Sequence, residues 1–162
     1  MRKFLHDIGF SAPPPFYKDP LFSLALLGGG LFWLILPLVQ PFKPLSPDQL
    51  FSSLYFIVVI QRPIFEEILF RGLLQGILGE TAWGEKRVIA IRGTALSVAN
   101  VVTSLLFALA HLFAHPPLWA ASVFIPSLLF GFFRDRHKNL FPPIFLHIFY
   151  NGGYFFLTGL PG

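Results

Sequence analysis

Five long apolar stretches dominate the chain and decide what it can fold into. They cover residues 21–39, 50–78, 94–114, 118–133 and 141–160, and a helix that crosses a membrane needs about 20 mainly apolar residues. Of the 162 residues, 54% are hydrophobic and 12% charged, about half the charge of an ordinary soluble domain. One water-soluble core could not hide all five stretches and still be clothed in polar surface. The expected fold class is therefore all-α, a polytopic transmembrane helix bundle of about five spans. Residues 1–20 read as a cytoplasmic N-terminal lead and 21–162 as a single membrane-embedded helical domain. The first stretch is too long for the core of a signal peptide, and no small-x-small cleavage site follows it, so it is expected to stay attached. The second is longer than one crossing requires and contains Pro63, which makes it either one kinked helix or a broken or re-entrant segment.

The basic residues test this map, because short cytoplasmic loops carry the excess of Lys and Arg. The lead holds Arg2, Lys3 and Lys18; residues 40–49 hold Lys43; residues 79–93 hold Lys86, Arg87 and Arg92; residues 115–117 hold none; residues 134–140 hold Arg134, Arg136 and Lys138. The alternation places the N-terminus inside and the C-terminus outside. It also accounts for the pI of about 9.7 without nucleic acid, since the cations form no dense run. With no cysteine in the chain, a disulfide framework, an iron–sulfur cluster and a thiol nucleophile are excluded. Any metal would need His and carboxylate ligands.

Six of the eight acidic residues lie in the lead or the loops; the other two, Glu66 and Glu67, are adjacent within an apolar run. Each unpaired charge at mid-membrane costs about 2.5–3.5 kcal/mol on insertion scales, so these two and Arg71 must be compensated. On a helix Glu67 and Arg71 form an i,i+4 pair on one face, whereas Glu66 is turned about 100° away. Glu67 is then the ion-pair partner that anchors Arg71, and Glu66 is left to face a cavity as a general base acting on water. The plainer reading is that all three merely lock helices together.

Two other stretches add to the count. His111 closes Phe107-Ala108-Leu109-Ala110-His111, and His147 precedes Asn151 by one turn on the same face. Either could be a packed interhelical polar group. Together with Glu66 they supply a base, two imidazoles able to hold water or a metal, and an amide donor for a developing oxyanion, which are the parts needed to hydrolyse an amide. His6 and His137 sit in charged flanks and are expected to face solvent, and His115 sits at an interface. Gly28-Gly29-Gly30 has neither the preceding strand nor the following Lys-Ser/Thr of a phosphate loop, and reads as a close helix contact.

Taken in order, Glu66-Glu67-x-x-x-Arg71, Phe107-x-x-x-His111 and His147-x-x-x-Asn151 resemble the three motifs of the CPBP family, the glutamate-dependent intramembrane proteases that include type II CAAX prenyl endopeptidases and bacteriocin self-immunity proteins. The likeness runs over a protease-like core of about residues 51–157. It implies that Glu66 and His111 activate water, that His147 and Asn151 stabilise the oxyanion, and that Glu67 and Arg71 give structural support. Glu66, His111 and His147 could be the ligands of a catalytic zinc, but then the one spare base, Glu67, is committed to Arg71, so no metal is favoured. The implied partners are the lipid bilayer and a membrane-anchored protein or lipidated peptide substrate, in a bacterial or archaeal cytoplasmic membrane. The chain is shorter than the larger members. It is more similar to small bacterial relatives of the myxosortase and JDVT-CTERM type, which are proposed to process C-terminal sorting segments. Two other classes remain open from the residues alone, a proton- or ion-coupled transport component and a non-catalytic immunity or binding protein. On these boundaries Glu66 is near mid-span, His111 near the outer end and His147 nearer the inner side, so straight perpendicular helices would keep them apart.

Overall fold

The computed structural model describes residues 8–161; Arg2, Lys3 and His6 lie outside them. The chain is mostly helical. Helices α1 (Pro20–Ile35), α2 (Pro47–Leu50), α3 (Ser53–Phe56), α4 (Arg62–Glu67) and α5 (Gln75–Gly79) are followed by strands β1 (Arg87–Ile91) and β2 (Thr94–Ser97), then by α6 (Val98–His111), α7 (Pro117–Ser122), α8 (Phe124–His137) and α9 (Phe141–Thr158). Two stretches, Pro20–Leu38 and Pro117–His137, are long and apolar enough to cross a membrane, and α6 is a shorter apolar helix. The five crossings expected from hydropathy are thus only partly visible as long uninterrupted α-helices. From Ser53 to Gly79 the chain is helical without a gap, but π turns at Ile57–Gln61 and Ile68–Leu74 divide it. Pro63 does not interrupt the helical run.

The all-α expectation is corrected by the two-stranded antiparallel sheet. Val88-Ile89-Ala90-Ile91 is a short β-branched run, and the Arg92-Gly93 turn that follows has both residues left-handed, with φ of 44° and 80°. That pair of angles makes a tight type I′ hairpin. Residues 94–97 consequently belong to a strand, and the third helix starts at Val98 rather than 94.

The described residues divide into two compact units, one built from the chain up to Pro14 with Glu66–Pro143, the other from Pro15–Phe65 with Ile144 onward. In the first unit, α6 packs on α8 and β2 lies along α8. Ser97 caps α6 by accepting from the Asn100 N–H at 3.1 Å and donates to Asp135 at 2.8 Å. Arg136 donates to Arg92 O and to Thr94, each at 3.0 Å, fastening the hairpin turn to the end of α8. The lead is tied to the same end: Leu140 N–H donates to Gly9 O at 3.0 Å, and Asn139 donates to Ser11 O at 3.1 Å. Two basic segments that the sequence assigns to one side, 79–93 and 134–140, therefore meet at one end of this unit, with Gly9 and Ser11 tied to it. His137, expected in solvent, is half-buried with its ring against Phe133.

In the second unit α1 starts at Asp19, whose carboxylate accepts from the Leu21 N–H at 3.1 Å, with Pro20 as the first helical residue. Gly29 lies under Tyr150, where a Cβ would collide with the ring, and Tyr150 donates to Ala25 O at 2.8 Å. The middle glycine of the triplet thus makes the close helix contact, while Gly28 and Gly30 face open space.

Candidate active site

Within the first unit the charged residues of the apolar run resolve into two environments. Glu67 and Arg71 are both 0% exposed, and Arg71 Nη1 meets Glu67 Oε1 at 3.1 Å. Arg71 Nη2 also donates to Ser127 O at 3.0 Å and to Ser127 Oγ. Its guanidinium lies over the Phe107 ring, 4.6 Å from the centroid, and 5.5 Å from that of Phe130. Such a pair loses several kcal/mol of hydration per ion, and the loss is offset only where hydrogen bonds accompany the Coulomb attraction. Ser127 supplies them. Glu66, on the adjoining face, is half-buried.

The same stripe continues to Gln75, one turn beyond Arg71. Its amide donates to Gly131 O at 3.0 Å, Asn100 donates to Leu128 O at 3.0 Å, and Ser104 donates to the Asn100 side-chain oxygen at 3.0 Å. A Cβ at Gly131 would overlap the Asn100 and Gln75 side-chain oxygens, so glycine there lets three helices share one polar layer. Sequence reasoning missed Gln75, Asn100, Ser104, Ser127 and Gly131. The available signal was spacing: Glu67, Arg71 and Gln75 fall at i, i+4 and i+8, and Asn100 and Ser104 at i and i+4.

These contacts fix a register. Arg71 and Phe70 meet Phe107, the latter with ring centroids 5.0 Å apart, while Gln75 and Asn100 converge on Gly131. As one helix advances from 71 to 75, the other runs back from 107 to 100, so they are antiparallel. Glu66 precedes Phe70 by four residues and His111 follows Phe107 by four, so both lie toward the same end of this antiparallel pair. Helix α6 begins later and is shorter than the apolar stretch implied.

His111 ends α6 with Nδ1 2.8 Å from Phe107 O. A carbonyl can only accept, so neutral His111 carries its proton on Nδ1 and presents a lone pair at Nε2. Phe107 and Trp119 flank the ring, at centroid distances of 4.6 and 5.8 Å. Exposed His115 stacks on Trp119 at 3.8 Å.

His147 and Asn151 belong to the second unit. His147 is 5% exposed, and Asn151 Nδ2 donates to Val58 O at 3.1 Å. The reason lies in Pro63. In the π turn the Arg62 N–H reaches back five residues to Ile57 O. The next donor in that register would be residue 63, and proline has none. Val58 O is left without its main-chain partner, and Asn151 supplies one while keeping its second amide N–H. Asn151→Ala is expected to cost about 1–3 kcal/mol, the penalty of a buried unsatisfied carbonyl. In a Pro63→Ala background, where residue 63 regains an N–H, it should cost less than half as much. Unfolding in detergent micelles measures both, and equal costs would refute this role. The same unit holds an open apolar groove of about 770 Å³ lined by Gly30, Trp33, Tyr55, Val59, Phe149 and Gly152.

Within either unit, among the described residues, no three His, Asp or Glu side chains gather as metal ligands do. Glu66 and His111 both belong to the first unit, and a catalytic zinc commonly takes three protein ligands.

Fold and site thus define a helical membrane protein with a buried carboxylate–arginine pair, a second carboxylate next to it in the chain, and a histidine held by the helix it ends. Residues 48–153 match the Rce1-like type II CAAX prenyl endopeptidase family, a match that spans all three motifs. The chain belongs to this family, whose members are membrane-embedded proteases. No curated protein and no solved structure matches it significantly.

Proposed function

We propose that the protein is an intramembrane endopeptidase of glutamic type that cleaves a peptide bond near the anchor or C-terminal tail of a membrane-associated protein. The observation that supports the reading best is the antiparallel register that carries Glu66 and His111 toward the same end of their two helices. Glu66 accepts a proton from water, whose oxygen attacks the scissile carbonyl while His111 Nε2 orients it through a hydrogen bond. His147 and the second N–H of Asn151 serve as donors to the tetrahedral oxyanion. Glu66 then passes its proton to the leaving amide nitrogen, so base and acid are one group and no proton is left over. The reading is metal-free. A zinc on Glu66, His111 and His147 would consume the base, and Glu67, the other acid, is committed to Arg71.

A membrane-anchored or lipidated substrate arrives with its tail already in the hydrocarbon, which lowers the orientation cost of the reaction. The apolar groove on α9, the helix that carries Asn151, suits such a tail. Five crossings with the N-terminus inside put the basic end of the first unit in the cytoplasm. Helix α6 separates that end from His111 by about 20 Å at 1.5 Å per residue, so chemistry takes place toward the outer half of the bilayer. The wild-type protein in liposomes with peptides bearing C-terminal hydrophobic tails tests this. Endoproteolysis in H₂¹⁸O should place one labelled oxygen in the new carboxylate. Proton flux without a cleaved product would mark a transporter, and partner binding without either would mark an immunity protein.

A further inference from the structure

The β1–β2 hairpin takes no part in the proposed chemistry and stands at the opposite end of α6 from His111. All five residues of β1 are exposed, with Val88 at 53%, Ile89 at 54% and Ile91 at 39%. Two strands alone are marginal in water, and an exposed apolar edge strand invites aggregation. No third strand covers β1 among the described residues. Yet the hairpin is held firmly, by its type I′ turn and by Arg136. Around it stand Lys86, Arg87, Arg92 and Lys138, all exposed and without an ion pair among the described residues. Exposed aliphatic side chains ringed by uncompensated cations match the boundary between acyl chains and anionic headgroups.

We propose that this hairpin is an interfacial anchor that binds the headgroup layer of anionic phospholipid, with Val88, Ile89 and Ile91 entering the upper acyl region and Lys86, Arg87 and Arg92 contacting phosphates. The occupant is argued from charge complementarity and from the hairpin's position at the basic end of a membrane-embedded unit. The inference stands apart from the proposed reaction and would survive its failure. Because the chain has no cysteine, Val88→Cys or Ile89→Cys introduces a single thiol for bimane in otherwise native protein.

In phosphatidylglycerol–phosphatidylcholine vesicles the label should emit as from a low-polarity site and be quenched more strongly by brominated phosphatidylglycerol than by brominated phosphatidylcholine. Each cation near an anionic surface is worth about five-fold in binding. A Lys86→Gln, Arg87→Gln and Arg92→Gln triple variant should therefore bring the preference close to unity. Among the described residues the replaced side chains are exposed and make no hydrogen bond or ion pair, and an unchanged melting temperature checks that folding does not need them. A water-like emission quenched equally by both lipids would overturn the proposal. So would excimer formation between pyrene labels on two copies, which would make β1 a strand-pairing edge, or abolition of the preference by inorganic phosphate, which would identify a site for soluble anions.

Discussion

Glu66→Gln should lower cleavage by about 10²–10⁴-fold, the usual contribution of a positioned general base, while leaving the melting temperature within about 1 °C of wild type. Gln keeps the length and shape of the side chain and can still orient water, but it cannot take the proton that makes water a nucleophile. Folding should scarcely notice, because Gln preserves the volume of the side chain at this half-buried position. The adjacent acid provides the contrast. Glu67 is fully buried against Arg71, so Glu67→Gln leaves a guanidinium without its counter-charge and should destabilise the protein while the folded fraction keeps near-native specific activity. The measurement is cleavage per folded molecule in proteoliposomes beside thermal unfolding of each variant. If Glu67→Gln abolished turnover with no loss of stability and Glu66→Gln did the reverse, the two roles would have to be exchanged.

The Glu67–Arg71 pair was legible in the sequence because charges four residues apart in an apolar run have few other ways to be satisfied. The polar layer around it was not. Ser127, Gln75, Asn100 and Gly131 are neutral or small, and nothing in hydropathy separates such residues from lipid-facing ones until helices are laid side by side. Pro63 advertised an orphaned carbonyl, but which carbonyl depended on the π turn before it, and the donor, Asn151, is remote in sequence. The start of α6 was misjudged for a different reason: residues 94–97 are apolar enough to extend a helix, and only pairing with β1 assigns them to a strand. Short apolar runs do not distinguish helix from strand by periodicity alone. What the sequence conveyed well was chemistry that cannot be left unpaired. What it hid was geometry set by neutral contacts.

Arg71→Leu should lower stability by about 3–5 kcal/mol, the range for stranding one member of a buried ion pair. The loss has three parts in this fold. Glu67 becomes a buried carboxylate without a cation, Ser127 O loses a charged donor, and the Phe107 and Phe130 rings lose the guanidinium between them. The first part dominates, and this yields a sharper expectation for the double variant. Glu67→Met with Arg71→Leu removes both charges at similar volume, and replacing a buried pair by apolar groups is often neutral or stabilising. The double variant should recover most of what the single one lost. Unfolding in detergent micelles or nanodiscs gives the three free energies of the cycle. If the pair acts only by holding α8 and the Glu66 helix in register, the double variant should also cleave at a rate within about ten-fold of wild type. A double variant that folds as well as wild type yet cleaves no faster than Glu66→Gln would show instead that the Arg71 charge acts on the reaction itself, through its field at the neighbouring carboxylate.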